Sequence, residues 1–232
     1  MVFGGIQKNS FIDYPEKVSC VLFRSGCNFK CPYCHNPDMV NASEKHNEAL
    51  CEKDIFDFLE KQIFFLDGVV ISGGEPTLDN DLFLVCRKIK ALGYPIKLDT
   101  NGSRPDVLKK LIKERLIDYI AMDIKTWPSD YHLLTHKDFD AQCIFTSIRT
   151  IMASCLPYEF RTTCLKPFVD SDIIEKISNM ISGSHVYVLQ RFYDKKVLDP
   201  NFFRGKNLGY NDEQLAAFQS IAMPRVKTCI IR

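Results

Sequence analysis

Short apolar runs alternate along the chain with longer stretches in which apolar residues recur every three or four positions. Val18 to Arg24 (VSCVLFR) predicts a first strand. Residues 54–65 place Ile55, Phe58, Leu59 and Ile63 at helical spacing. Gly68 to Ser72 (GVVIS) predicts a second strand, and residues 81–92 a helix that Gly93 ends. Ile96 to Asp99 predicts a third strand. A helix follows over 104–115, with Pro105 near its first turn. Tyr119 to Ile124, Tyr158 to Thr163 and His185 to Gln190 predict three more strands, separated by helices over 140–154 and 171–181.

This order implies parallel strands with helical crossovers. A doubly wound sheet and a partial barrel both satisfy it. In a barrel, the loops at the C-terminal ends of the strands build the site. The unusual residues fall there. A cysteine loop follows the first strand and Ser72-Gly73-Gly74-Glu75-Pro76 the second. Asp99-Thr100-Asn101-Gly102 ends the third, Asp123 and Lys125 the fourth, Arg161 to Cys164 the fifth and Gln190 the sixth.

Composition changes this picture little. The 232 residues suit one domain, with a core over about 18–190 and a C-terminal extension over about 191–232. With 30 Lys and Arg against 29 Asp and Glu, the balance points to no polyanionic partner, so no nucleic acid is expected. No run approaches the ~18 apolar residues of a spanning helix, so no membrane partner is expected either. The first residues lack the charged start and apolar stretch of a secretory signal, and the expected location is cytoplasmic.

Cysteine changes it more. Three of the ten cysteines sit within eight residues, as Cys27-x3-Cys31-x2-Cys34. Three thiolates on an iron–sulfur cubane leave one iron open for chemistry. Two other readings of the spacing stand beside this one. His35 completes a Cys3His zinc site, or Cys31-Pro32-Tyr33-Cys34 is a dithiol redox pair. Cys20, Cys51, Cys86, Cys143, Cys155, Cys164 and Cys229 lack ligand spacing, and His46, His132, His136 and His185 have no assigned role.

The run from Cys27 to Cys34 (CNFKCPYC) resembles the signature of the radical S-adenosylmethionine (SAM) superfamily. Residues 5–37 resemble more closely the activating proteins of anaerobic ribonucleoside-triphosphate reductase, which are glycyl-radical-enzyme activases. The likeness continues through GGEP (73–76), DTNG (99–102), MDIK (122–125), FRTT (160–163) and LQRF (189–192). One departure is Glu16, where the resemblance leads us to expect glycine after Tyr14-Pro15.

The resemblance implies an α/β fold, a partial (β/α)6 TIM-like barrel of the radical SAM type. It implies a [4Fe–4S] cluster on Cys27, Cys31 and Cys34, with SAM on the open iron. Gly73, Gly74 and Glu75 then meet the SAM amino group, and Tyr33 lies beside the adenine. Asp99, Thr100, Asn101, Asp123 and Lys125 surround the methionine moiety, with Lys125 balancing its carboxylate and a monovalent cation near Asp99 and Asp123. Arg161 and Gln190 face the ribose or carboxylate. Taken alone, GGEP is a turn, Tyr33 a packing ring, Asp123 and Lys125 an exposed pair, and Arg161 a salt-bridge partner.

The implied function is that of an activase, an oxidoreductase leaving a glycyl radical on a partner enzyme. The expected partners are anaerobic ribonucleotide reductase and a low-potential electron donor such as flavodoxin or ferredoxin. The short stretch over 41–67 and a tail without a cysteine cluster leave no place for accessory clusters. Two alternatives are a radical SAM enzyme acting on a small molecule and a non-catalytic zinc or electron-transfer module.

Overall fold

A computed structural model describes residues 1–40, 50–135, 138–193 and 196–232. His46 and His136 lie outside the described residues. The strands occupy Phe3–Ser10 (β1), Ser19–Arg24 (β2), Gly68–Gly73 (β3), Ile96–Thr100 (β4), Tyr119–Asp123 (β5), Tyr158–Cys164 (β6), Val186–Arg191 (β7) and Thr228–Ile231 (β8). Their order in the sheet follows the chain from β1 to β8. All six predicted strands are present, as β2 to β7. The two end strands, β1 and β8, escaped the pattern of apolar runs.

Contacts divide the chain into two compact units. The first holds residues 1–28, 36–100 and 106–120. Here β2 pairs in parallel with β3, from Ser19 opposite Gly68 to Arg24 opposite Gly73, and β3 pairs in parallel with β4. β1 runs antiparallel to β2. Buried Val69, Val70 and Ile71 make β3 apolar on both faces, as a covered parallel strand requires. The short helix Pro37–Val40 (α1) precedes Glu52–Lys61 (α2), which buries Ile55 and Leu59. Leu82–Ala91 (α3) buries Leu82, Val85, Cys86 and Ile89, the one-sided stripe of an amphipathic helix. Pro105–Lys113 (α4) buries Leu108 and Leu111, and its proline stands where the missing N–H costs nothing.

The second unit holds residues 29–35, 101–105 and 121–232. β6, β7 and β8 pair in parallel, and Phe160, Tyr187, Val188 and Leu189 are buried there. Gln142–Met152 (α5) and Ser171–Met180 (α6) cover apolar surface with Ile144, Ile148, Ile151, Ile174 and Ile177. The Asp170 carboxylate caps α6 by accepting from Ile173 N–H. Pro200–Phe203 (α7) and Asp212–Ala222 (α8) follow β7. α8 starts with a reciprocal cap between Asn211 and Gln214.

Glu16 has φ +63°. That left-handed conformation favours glycine, which accounts for the glycine expected there from family resemblance.

Candidate cluster and cofactor site

In the first unit the candidate residues begin at the C-terminal end of β2. Arg24 carries its carbonyl to Gly74 N–H (2.8 Å), and the Gly26 carbonyl accepts from Glu75 N–H (2.9 Å). The Arg24 guanidinium also donates to the Gly26 carbonyl (2.5 Å). The turn after β3 is therefore laced to the start of the cysteine loop. Gly73 lies at φ +108°, and a Cβ there would run into the backbone of Arg24. A Cβ at Gly74 would run into the carbonyl of Gly26. Close chain approach thus explains both glycines.

Glu75 is fully buried. Its Oε1 accepts from Thr77 N–H (3.1 Å), Thr77 Oγ1 (2.5 Å) and Thr100 Oγ1 (2.8 Å). These donors meet the demand that a buried carboxylate be hydrogen-bonded. At the end of β4, Asp99 Oδ2 accepts from Ser72 Oγ (3.0 Å), and its Oδ1 pairs with the ammonium of Lys97. Lys97 is buried and stands over the ring of Tyr119, 6.0 Å from its centroid.

In the second unit, Cys31 and Tyr33 are buried, and Cys34 N–H closes a turn onto the Cys31 carbonyl (3.0 Å). Phe29 anchors this stretch edge-on against Tyr131 and Phe139. Burial pushes the Cys31 thiol up to about 11, against the pull of the Lys125 ammonium. The Tyr33 hydroxyl is buried with no partner of full hydrogen-bond geometry, its neighbour being the Cys31 thiol. Its ring packs on Phe168 at 5.4 Å.

The charged group lies at the ends of β5 and β6. Lys125 Nζ donates to Asp123 Oδ2 (2.7 Å), and Arg161 Nε to Asp123 Oδ1 (2.6 Å). Burial alone would raise Asp123, but Arg161 and Lys125 outweigh it and hold the carboxyl well below its usual range. Burial alone would lower Lys125, but Asp123 and Cys31 hold it above. Tyr131 Oη accepts from Lys125 N–H (3.0 Å) and fixes where the lysine leaves the chain. Gln190 Oε1 accepts from Thr163 Oγ1 (3.4 Å), and Asn101 Oδ1 from Ser103 N–H (2.9 Å).

The donor set fits an iron–sulfur cluster. Cysteine thiols are the ligands such clusters use, and the metal itself ionises a thiol that burial keeps protonated. Among the described residues, no three His, Cys, Asp or Glu side chains converge as on a single metal ion. A cubane spreads its thiolates over different irons. His35 stacks on Phe192 at 5.6 Å.

The family model for the Radical SAM superfamily matches residues 21–178. The chain belongs to that superfamily. A protein of Methanocaldococcus jannaschii named as a glycyl-radical enzyme activating enzyme is 36% identical over 234 residues, covering 98% of this chain and 94% of the relative. The pyruvate formate-lyase-activating enzyme of Staphylococcus aureus is 32% identical over 127 residues, half of each chain. Within the radical SAM proteins, the chain therefore belongs with the glycyl-radical-enzyme activating enzymes, and its family uses SAM and an iron–sulfur cluster.

Two solved radical SAM structures show the fold. Streptococcus suis SuiB bound to S-adenosylmethionine superposes with a TM-score of 0.66 at 14% identity, over 91% of this chain and 51% of that one. Methylornithine synthase gives 0.63 at 16% identity, over 91% and 63%. The chain spans less than two thirds of either. The shared fold is the partial barrel.

Sequence reasoning missed three features of this radical SAM chain. Lys97 partners Asp99, and the signal was a lysine two residues from an aspartate in an otherwise apolar strand, hence on the same face. Thr77 holds Glu75 and nothing local marks it, while Thr100, expected in the site, also donates to Glu75, a partner the sequence does not indicate. The rings of Phe168, Phe192, Phe202 and Phe203 border the cysteine loop, and in sequence they read as ordinary core residues.

Proposed function

We propose that this chain generates a glycyl radical on a partner enzyme, with anaerobic ribonucleotide reductase as that partner. Cys27, Cys31 and Cys34 hold the [4Fe–4S] cluster in this reading. Bound together and reduced, cluster and SAM supply cleavage of the sulfonium to methionine and a 5′-deoxyadenosyl radical, which takes a hydrogen atom from a glycine Cα. The protein's part is to bind, orient and exclude water.

The observation that carries the proposal is in the second unit. There the buried Cys31 thiol lies in the field of Lys125 and Asp123, so a cysteine of the signature and the strand-end charges share one environment. Lys125 and Arg161 suit a carboxylate ligand, as charge-assisted donors. Glu75 suits an ammonium, and Gly73 and Gly74 keep the chain close behind it. Tyr33 has a face for a base and a buried hydroxyl beside Cys31. Asp99, Thr100, Asn101 and Gln190 are the remaining polar residues of this reading. Lys97 already brings Asp99 one positive charge, so a monovalent cation there is expected to change SAM affinity only modestly. The ribonucleotide reductase assignment rests on the likeness of residues 5–37, and the electron donor is expected to be a flavodoxin or ferredoxin.

The test begins with anaerobic reconstitution, expected to give about four irons per chain. Alanine at Cys27, Cys31 or Cys34 should abolish the cluster, and alanine at Cys51 or Cys86 should leave it. The reduced protein, SAM and the organism's own reductase should then give a glycine-centred doublet by electron paramagnetic resonance. Tightly bound stoichiometric zinc would overturn the cluster. SAM cleavage with stoichiometric loss of a small molecule, and no protein radical, would overturn the activase reading.

A further inference from the structure

In the second unit a run of ring contacts begins and ends on the two residues that flank Cys34. His35 stacks on Phe192 at 5.6 Å, and Phe192 stacks on Phe203 at 5.0 Å. Phe203 meets Phe202 edge-on at 5.2 Å, and Phe202 stacks on Phe168 at 5.6 Å. Phe168 returns to Tyr33 at 5.4 Å. The backbone from Tyr33 to His35 closes the circuit. Phe168, Phe192 and Phe203 are buried, as is Tyr33.

Polar bonds fasten the same segment. Asp199 N–H donates to the Pro32 carbonyl (3.0 Å), one residue before Tyr33. The Asp199 carboxylate accepts from Asn201 N–H (3.0 Å) and Phe202 N–H (3.3 Å), which starts α7 and aims its phenylalanines. Further along, Lys166 N–H donates to the Leu208 carbonyl (2.9 Å), and Tyr210 Oη donates to the Val169 carbonyl (2.6 Å). The turn that bears Phe168 is thus tied to the same stretch of chain.

We infer that Phe192, Phe202 and Phe203 form an aromatic collar that fixes Cys34 and keeps water and oxidants from the cluster edge it ligates. Phe192, Phe202 and Phe203 are positioning residues in this role, acting through Tyr33 and His35. The collar gives the segment after β7 a purpose in the family chemistry. Apolar surroundings control solvent access to a metal centre and its potential. Two ring contacts beside a ligand, one stacked and one tilted, also remove the loop motion through which a cubane would shed iron. The inference rests on the reading of Cys34 as a cluster ligand.

The experiment uses the reconstituted full chain and follows bleaching of the cluster absorption in air and iron transfer to a ferrous chelator. Phe202→Ala removes the central ring of the circuit from a half-buried position. Both rates are expected to rise about tenfold, the lower range for loss of an outer-sphere partner. Phe83→Leu alters a half-buried ring on α3, under the Lys110 ammonium and outside the circuit, and should leave both rates at the wild-type value. If Phe202→Ala does not fold, Phe202→Leu takes its place, and a rate above wild type is again expected. Wild-type rates in the Phe202 variant, or equal acceleration by Phe83→Leu, would overturn the collar. Four irons retained by Cys34→Ala would instead overturn the ligand assignment on which it stands.

Discussion

Glu75 and Asp123 are both carboxylates at strand ends, and the two units hold them by different means. In the first unit Glu75 Oε1 is met by an amide and two threonine hydroxyls. In the second, each oxygen of Asp123 is met by a cation, Lys125 on one and Arg161 on the other. Both arrangements replace water lost on burial, with an amide and hydroxyls at Glu75 Oε1 and with two cations at Asp123. Dipoles are indifferent to salt and to neighbouring titrations. Charges in a partly open site are screened, and they shift one another's proton affinity. The binding chemistry proposed for each follows the same division, with an ammonium at the first and a carboxylate at the second.

The largest expected effect comes from breaking the ionic side. Asp123→Ala leaves Lys125 and Arg161 adjacent without the carboxylate between them. Asp123 keeps about a fifth of its side chain exposed, so the loss should be about 2–3 kcal/mol rather than that of a fully buried pair. Urea unfolding of cluster-free protein measures it. The penalty should shrink between 0.1 and 1 M salt, as the screening length falls from about 10 to about 3 Å. An unchanged penalty would place Asp123 with Glu75.

Acid tests the ionic side further. The folded pKa of Asp123 lies below its ordinary value of 3.8, so its contribution is fully present above that value. It is lost as pH falls toward the depressed pKa. Cluster-free wild type should therefore lose stability below about pH 4 more steeply than Asp123→Asn. Parallel curves would show that the carboxylate's proton affinity is the same folded and unfolded.

On the dipolar side, Thr100→Val removes one donor from Glu75 while keeping the shape of the side chain. The expected cost is about 1 kcal/mol, and it should be the same at both salt concentrations. A strong salt dependence would mean that Glu75 is held by charge after all.

The smallest effect is expected at Glu16. Glycine there relieves a left-handed φ of +63° and should stabilise the fold by about 0.5–1 kcal/mol, read as a rise in melting temperature. No gain would mean that the glutamate side chain compensates its own backbone.

The sequence alone determined the succession of strands and helices and where the chemistry falls along it. Apolar runs mark β2, β3, β5 and β7 because a parallel strand covered on both faces is largely apolar, and that requirement is local, while β4 and β6 alternate and carry Lys97, Asp99, Glu159 and Arg161. The cysteine spacing, GGEP and the strand-end charges are local as well, since each is a short loop after one strand. β1 was not found, because an end strand need not be a continuous apolar run, and β8 was not found, because four residues are too short a run to stand out. Polar Gln7, Lys8 and Asn9 lie exposed in β1.

Only the tertiary structure decided the partners. Thr100 reaches Glu75 across 25 positions and Arg161 reaches Asp123 across 38, and no periodicity encodes such pairs. The collar joins Tyr33 to Phe168 and Phe202, which share no pattern along the chain. Residue type and spacing specify which face a side chain takes, but what it meets on that face depends on how distant segments pack. The kind of chemistry could therefore be read from the sequence, while the means by which each carboxylate and each cysteine is held could not.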